Sequence, residues 1–425
     1  ARIPRSYHFG LRLVCKRWKE AFSSHSLFDL RKELLTTEEW LYVLIRRSDE
    51  SLSWHALDPS TGMWQKLPPM PDMAYEDDLD PSSSSSSSSS ASAQTWLGFV
   101  FKEFMRALFG RREALDKATF CGCAAGSING CLYILGGFTR SSATRSVWLY
   151  DPRVNAWREV ASMGCARAYC KTAFVCGKLY AVGGVNRGRA GLTPLQSAEV
   201  YDPLANIWSP IPDMPFSKAQ LLPAAFPADM LKPIATGMAA YREKLFVPQS
   251  LYSWPFFVDV GGEVFNPTAD IWSEMPRGMG EGWPAKQAGT KLSAVVNGHL
   301  YALDPTGSLD GCKIKVYDNE ADTWKVVLKK VPILLDFSDS ESPYLLAGFK
   351  NKLRILTKDV NDCVIVLGAD MNDEGVSITN SSSSPLALEP TGNGSSSGTE
   401  AERWKTIARK NFGSVELVAC QVLEI

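Results

Sequence analysis

The segment Ser197-Ala-Glu-Val-Tyr-Asp-Pro-Leu-Ala-Asn-Ile-Trp208 contains the end of one apolar strand, a turn, and the start of another strand. Proline presets the backbone dihedral of a turn, and an aspartate before it accepts hydrogen bonds from the local backbone. The first strand ends at Tyr201 and the next begins at Trp208. The segment therefore predicts an antiparallel hairpin with a tight Asp-Pro turn.

The same spacing recurs along the chain, with an apolar or aromatic residue seven positions before a tryptophan. The pairs are Leu57 and Trp64, Tyr150 and Trp157, Tyr201 and Trp208, Phe265 and Trp272, and Tyr317 and Trp324. Trp404 heads a similar apolar stretch, but an insertion separates it from its upstream partner. A sequence period of about 50 residues indicates a repeat architecture.

Each repeat contains two further apolar runs upstream of the hairpin, which gives four strands per unit. In the repeat around Trp208 these runs are 169–176 and 179–182. A single four-stranded antiparallel sheet cannot bury both of its faces, so such sheets pack radially around an axis. The predicted fold class is all-β, a β-propeller of six blades over residues 40–425.

The two ends of the repeat region indicate how the ring closes. The first unit begins at Trp40 with what is already a second strand, so its first strand is missing. Residues 414–425 form an apolar strand with no unit of its own. We expect this strand to complete the first blade, because closure removes exposed strand edges. The alternative is a fourth strand added to the last blade.

Glycine pairs precede the hairpin in two of the repeats. The pairs are Gly136-Gly137 and Gly183-Gly184. A double glycine followed by an aromatic residue and a tryptophan at fixed spacing resembles the kelch repeat, and the resemblance covers roughly residues 40–425. It is strongest around Trp157 and Trp208. The repeats at Trp64, Trp272 and Trp324, and the one at Trp404, lack the double glycine.

The segment before the propeller, residues 1–39, has a different pattern. Apolar residues recur at helical spacing with charged residues opposite: Leu11, Val14, Cys15, Trp18 and Phe22. The sequence from Leu11 to Trp18, followed by Leu27-Phe28, resembles the second half of an F-box. The leading Leu-Pro element and the first helix of an F-box are expected upstream of Ala1.

The combination resembles the plant F-box/kelch-repeat proteins. The resemblance implies that Leu11, Val14, Cys15 and Trp18 bind the adaptor subunit of an SCF-type, cullin-based ubiquitin ligase. It also implies that the propeller binds a protein substrate. Two alternatives remain open: the helix merely packs on the propeller, or the chain is a kelch scaffold that recruits no ligase.

Two insertions, 72–117 and 372–400, interrupt the repeats. Both include serine-rich stretches that cannot bury apolar surface, and we expect them to be partly disordered. Within the first, 96–112 is amphipathic at helical spacing, which is typical of a cap on the propeller or a docking site for a partner helix. In a four-stranded meander, loops after the second and fourth strands share one face, so the insertions are expected on opposite faces.

Arginines are concentrated in the loops predicted to share a face with the first insertion. They are Arg140, Arg145, Arg167, Arg187 and Arg189. A guanidinium group binds carboxylates and phosphates through two parallel hydrogen bonds. We therefore expect this face to bind an acidic or phosphorylated partner segment; the alternative is a set of solvated loop arginines.

Composition excludes several other functions. A formal net charge of −1 gives no indication of nucleic-acid or membrane binding, and the chain has no apolar run of 18 residues.

With no secretory signal and ten scattered cysteines, we expect reduced thiols in the cytoplasm or nucleus. His55 and His299 are too few for a copper oxidase site, and no nucleophile or phosphate motif is present. We expect a non-catalytic receptor without metal or cofactor.

Overall fold

A computed structural model describes residues 2–71, 122–139, 142–188, 191–215, 233–253, 256–283, 292–304, 312–328, 331, 344–369 and 404–425. The described residues form a β-propeller of six antiparallel blades. Both predicted insertions, 72–117 and 372–400, and with the first of them the amphipathic stretch 96–112, lie outside the described residues.

The strands follow one another blade by blade along the chain. The first three blades contain β1 (Glu39–Arg47), β2 (Leu52–Leu57), β3 (Trp64–Lys66), β4 (Ala124–Ile128), β5 (Cys131–Leu135), β6 (Phe138–Thr139), β7 (Ser142–Ala143), β8 (Val147–Asp151), β9 (Ala156–Val160), β10 (Lys171–Val175), β11 (Lys178–Val182), β12 (Val185–Gly188), β13 (Gly191–Pro194), β14 (Ala198–Asp202) and β15 (Ile207–Ile211). Two additional hairpins, β6–β7 and β12–β13, stand between the second and third strands of blades two and three.

The remaining blades repeat the four-stranded pattern, with the inner strand of blade four split in two. They contain β16 (Ile234–Ala235), β17 (Ala239–Tyr241), β18 (Lys244–Ser253), β19 (Phe256–Asn266), β20 (Ile271–Glu274), β21 (Ser293–Val296), β22 (His299–Asp304), β23 (Lys313–Asp318), β24 (Thr323–Leu328), β25 (Leu345–Phe349), β26 (Lys352–Lys358), β27 (Cys363–Ala369), β28 (Trp404–Asn411) and β29 (Val415–Glu424).

The first blade contains both ends of the propeller. Strand β29 pairs antiparallel with β1, from Glu39 opposite Glu424 to Arg47 opposite Val415. The sheet order is β29-β1-β2-β3, so the C-terminal strand takes the innermost place. The seam of the ring is therefore a continuous hydrogen-bonded ladder rather than a pair of exposed edges.

The repeat tryptophans connect neighbouring blades. The Trp208 ring packs on Tyr201 across the hairpin, 5.1 Å between centroids, and its indole N–H donates to Ala161 O of the preceding blade at 2.9 Å. Three others make the equivalent bond: Trp157 to Pro68 O, Trp272 to Pro212 O and Trp324 to Met279 O. The spacing that defines the repeat therefore places one donor at each of these four blade junctions.

The predicted turn chemistry is present in the same hairpin. The Asp202 carboxylate accepts from the backbone N–H groups of Leu204 and Ala205 at 2.9 and 3.2 Å. Asn206 has a φ of 54°, in the left-handed region that asparagine tolerates, and its side-chain oxygen accepts from the Tyr201 hydroxyl at 2.8 Å. These bonds orient Trp208 towards the neighbouring blade.

The apolar core lies between adjacent blades. Leu135 and Val147 of the second blade share one cluster with Leu179 and Tyr201 of the third. Each fully buried side chain of this size contributes about 1.5–3 kcal/mol relative to exposure. Because every blade packs on two others, stability depends on the ring as a whole.

Helices are short, and most of them precede the propeller. A 3-10 turn (Arg5–Tyr7) leads into α1 (His8–Leu11), α2 (Lys16–Ser23) and α3 (His25–Glu33); α4 (Arg277–Gly282) follows the fourth blade. The helical pattern predicted from Leu11 to Phe22 is interrupted, because Cys15 is extended with φ −163° and ψ 168°. The apolar residues at helical spacing are therefore divided between α1, the break at Cys15 and α2.

The two faces of the disc carry different loops. The lower face carries the loops after the first and third strands of each blade, and the upper face carries those after the second and fourth. Strand β3 ends and β4 begins on the upper face, whereas β27 ends and β28 begins on the lower face. The prediction that the two insertions lie on opposite faces concerns residues outside the described ranges.

Candidate functional site

The N-terminal helices are attached to the lower face through a buried arginine. Arg5 is 5% exposed, and its guanidinium donates to the carbonyl oxygen of Pro152, the proline of the Asp-Pro turn in the second blade. The backbone N–H of Arg5 donates to the Glu38 carboxylate at 3.0 Å. Burying a guanidinium is costly unless its donors are satisfied. The turn that defines the repeat thus also serves as a docking point.

Further polar contacts extend this attachment. Arg12 donates to Arg153 O at 2.9 Å, and the Arg153 guanidinium lies 2.7 Å from His25 Nδ1. Arg31 donates to the Glu38 carboxylate at 3.0 Å. The helices are therefore held at several points on the first two blades rather than tethered by a single segment.

Within the helical segment, His8 forms part of a small buried aromatic cluster. It is 2% exposed and its ring lies 4.8 Å from that of Phe22. Burial lowers the pKa of His8 to about 4, against a smaller raising effect of its hydrogen bond with Ile3 O. The imidazole is therefore neutral at physiological pH and packs as part of the core of this segment.

The residues expected to bind the adaptor are only partly grouped. Leu11 is half-buried at the end of α1, whereas Val14 is 62% exposed, Trp18 is 41% exposed and Cys15 is exposed. Leu13, which the helical pattern left out, is 87% exposed. Leu13 was not predicted because it does not lie on the apolar face of an ideal helix. The break at Cys15 interrupts that helix.

Exposed large apolar side chains are concentrated on this segment. They are Ile3, Tyr7, Leu13, Val14, Trp18, Leu30, Leu34 and Leu35. Large apolar side chains left exposed on one segment of a folded protein indicate an interaction site. We name these eight residues the apolar helical surface.

On the upper face, the structure corrects the interpretation of Arg167. Its side chain is fully buried and donates to Gly183 O and Ser197 O, both at 2.9 Å, and to the Glu199 carboxylate at 2.5 Å. Glu199 also accepts from the backbone N–H of Cys165 at 3.0 Å. Arg167 therefore joins blades two and three and is not presented to a partner.

The double glycine explains how this arginine is seated. A Cβ on Gly136 would lie 2.0 Å from Arg167 O, and Gly136 has a φ of 56°. The N–H of Gly137 donates to the same carbonyl at 3.0 Å. Glycine is therefore required for the backbone of the second blade to approach the Arg167 loop this closely.

The two additional hairpins share a small core on the upper face. Its members are Phe138, Ala143, Ala168 and Val185. Arg145 is exposed just after β7, and Arg187 lies on β12 of the neighbouring hairpin. Arg140 and Arg189 lie outside the described residues. Of the five predicted arginines, Arg145 therefore follows one hairpin, Arg187 lies on the other, and Arg167 is buried.

A cavity of about 480 Å³ follows the propeller axis, lined by the innermost strands of all six blades. Its charged lining residues are Arg46, Glu416 and Lys171. Among the described residues, no group of three or more His, Cys, Asp or Glu side chains could hold a metal ion. In the same part of the chain, no helix is long and apolar enough to cross a bilayer.

Comparison with known proteins finds a family model and several relatives that match the chain. The Kelch motif matches residues 119–164 and 166–215. An F-box/kelch-repeat protein of Arabidopsis thaliana is 53% identical over the whole chain and is covered over 88% of its own length. The F-box protein AFR of the same plant is 25% identical over 72% of this chain and 65% of its own. The human Kelch repeat and BTB domain-containing protein 8 is 29% identical over 53% of this chain and 34% of its own.

Proposed function

The chain belongs to the F-box/kelch-repeat proteins, and from that membership we propose that it is the substrate receptor of an SCF-type, cullin-based ubiquitin ligase. In this proposal the N-terminal helices bind the adaptor subunit, and the upper face of the propeller binds the protein to be ubiquitinated. The chain performs no bond chemistry itself. It acts in the cytoplasm or nucleus by holding a target lysine near a conjugating enzyme bound elsewhere in the complex.

The apolar helical surface is the observation that carries this proposal. Exposed Val14 lies in the turn before α2 and exposed Trp18 lies on α2, in the N-terminal segment that the buried Arg5 attaches to the propeller. Leaving large apolar side chains in water is unfavourable, so a surface of this kind is stabilised when a partner covers it. An adaptor subunit that packs on these helices would provide that cover.

The arrangement of the two faces supports the second half of the proposal. The helices attach to the lower face, at the Asp-Pro turn of the second blade. The hairpins with Arg145 and Arg187 lie on the upper face, so a partner there would not compete with the adaptor. Because the helices are attached at several points, the distance between adaptor and target would be set by the fold.

Adaptor binding is tested with two substitutions and a matched control. Val14→Asp together with Trp18→Asp should weaken binding at least about 100-fold. An aromatic anchor such as Trp18 contributes about 2 kcal/mol or more to an interface, and the carboxylate at position 14 would be buried without a partner. The control is Leu204→Asp, since Leu204 is 94% exposed on a lower-face turn away from the helices. Isothermal titration with purified adaptor measures all three proteins.

The titration should be repeated on a form extended upstream by the first F-box helix of the Arabidopsis relative. Binding by the extended form, lost with the aspartate substitutions, supports the proposal. Binding by neither form would reject ligase recruitment and leave a protein-interaction scaffold.

Target binding on the upper face is tested by charge reversal of Arg145 and Arg187. The probe is a library of acidic and phosphorylated peptides, screened against the wild type and against the variant with both arginines replaced by glutamate. The control reverses two exposed cations away from the hairpins, Arg158 and Lys244. Peptides captured by the wild type and the control but not by the variant support an acidic partner; equal capture by all three rejects it.

A further inference from the structure

Lys171 is a cation inside the propeller without a countercharge. It lines the central cavity as the first residue of β10, the innermost strand of the third blade. Among the described residues, no hydrogen-bond acceptor or carboxylate pairs with its ammonium group. Transferring a charge into protein is costly unless it is paired, so an unpaired lysine at this place needs an explanation.

The other charged groups of the cavity neutralise each other. The Arg46 guanidinium lies 3.5 Å from the Glu416 carboxylate and 4.0 Å from that of Glu50. Of the three charged residues that line the cavity, Lys171 is thus the one whose charge is left over. The net charge of these three lining residues is therefore positive.

The cavity has the size and lining of a small-molecule site. Its volume of about 480 Å³ lies within the range of about 300–1,000 Å³ that is usual for ligand pockets. A small residue from each blade faces it: Ala125, Ala173, Ala239, Ala294, Gly348 and Ala419. Small side chains leave room along the axis, while the lysine supplies one polar group that could orient a ligand.

We propose that the central cavity binds a small oxyanion-bearing ligand, a carboxylate or phosphate compound, whose negative charge pairs with the Lys171 ammonium. The proposal is independent of ligase recruitment, since the cavity lies on the axis and the adaptor surface lies on the N-terminal helices. The state of the ammonium is consistent with it: burial lowers its pKa to about 8, with Cys170 acting weakly in the opposite direction. The ammonium is therefore still mostly protonated at neutral pH, and a bound anion would raise its pKa.

The test measures thermal unfolding of the full chain with inorganic phosphate and, separately, with succinate, at constant ionic strength. At tenfold excess over its Kd, at least one of the two probes should raise the Tm of the wild type by about 2 °C. The same probe should leave Lys171→Met unchanged. Lys178→Met is the control, because Lys178 lies on the neighbouring strand β11, is exposed, and is paired with Asp202; it should respond like the wild type.

Each outcome decides between explanations. A shift with phosphate alone assigns a phosphate compound, and a shift with succinate alone assigns a carboxylate. No shift with either probe, or an equal shift in Lys171→Met, overturns the proposal and leaves a solvated lysine. Should Lys171→Met fail to fold, lysine NMR of the wild type gives the answer: the binding probe should move the Lys171 titration midpoint up by about one unit or more.

Discussion

The lower and upper faces each contain a buried arginine that donates to backbone carbonyls, but the two arginines connect different parts of the molecule. On the lower face, Arg5 attaches the N-terminal helices to the Asp-Pro turn at Pro152. On the upper face, Arg167 joins blades two and three through Gly183, Ser197 and Glu199. The first contact positions an appendage, and the second is part of the ring itself. The same residue type therefore has different consequences for stability.

The faces also differ in what they leave exposed. Below, exposed side chains such as Leu13 and Trp18 are apolar; above, Arg145 is an exposed cation. Apolar surface favours a permanent partner, whereas exposed arginines favour charge-dependent selection of partners. The lower face therefore exposes apolar surface and the upper face exposes charge.

The largest effect is expected from Arg167→Met. It leaves Glu199 buried at 5% exposure without its cation, and breaking a buried pair in this way costs about 3–5 kcal/mol. Chemical denaturation should show this loss in the free energy of unfolding, whereas Arg145→Met on the same face should change it by less than about 0.5 kcal/mol. Equal losses in the two variants would contradict the assignment of Arg167 as a blade connector.

A smaller and local effect is expected from Arg5→Met on the lower face. The substitution removes the bond to Pro152 O, and a hydrogen bond from a charged group contributes about 1.5–3 kcal/mol. Hydrogen exchange should accelerate in α2 and α3 while the blade strands keep their protection. The control is Arg2→Met, because Arg2 is exposed. Faster exchange throughout the propeller would mean that the helices are part of its cooperative unit.

An effect of opposite sign is expected from Lys171→Met on the upper side of the axis. The folded-state pKa of Lys171 is about 8, below its ordinary 10.5. The cost of the buried charge is therefore fully present below pH 8 and is relieved as the pH rises towards 10.5. The variant should be more stable by roughly 1–3 kcal/mol at pH 7 without added oxyanions, and the difference should vanish near pH 10.5. Unfolding curves at pH 7, 9 and 10.5 measure it.

Local chemistry was enough to predict the fold. The seven-residue interval before each tryptophan, and the Asp-Pro turn inside it, indicated six antiparallel blades, because both depend on contacts within a hairpin. The double glycine entered as a mark of the repeat, and the structure shows that it allows the backbone to approach Arg167 O. What the spacing did not reveal is that the indole of Trp208 donates to the preceding blade.

The candidate sites were harder to predict, since they depend on contacts between segments far apart in sequence. Arg167 was expected to bind a partner. In the structure it binds Glu199 instead, and these two residues are 32 positions apart in the sequence, so no local spacing connects them. The sequence signal that could have revealed this ion pair is Glu199, an acidic residue at an inward-facing strand position two residues before Tyr201. Lys171 was not considered, because a lysine at the start of a strand is ordinarily solvated. The break before α2 was missed since Cys15 carries no helix-ending signal.

The smallest effect is expected from Glu281→Gln, which removes an ion pair on α4, in the loop after the fourth blade. Arg277 and Glu281 lie 2.6 Å apart, but their side chains are 84% and 65% exposed. Water already solvates both charges, so pairing them gains little, and chemical denaturation should detect no change in the free energy of unfolding. A loss comparable to that of Arg167→Met would mean that charge pairing itself, and not burial, stabilises the upper face. If the exposed pair is neutral as expected, the same reasoning applies to Arg145: a cation that contributes nothing to the fold remains available to a partner.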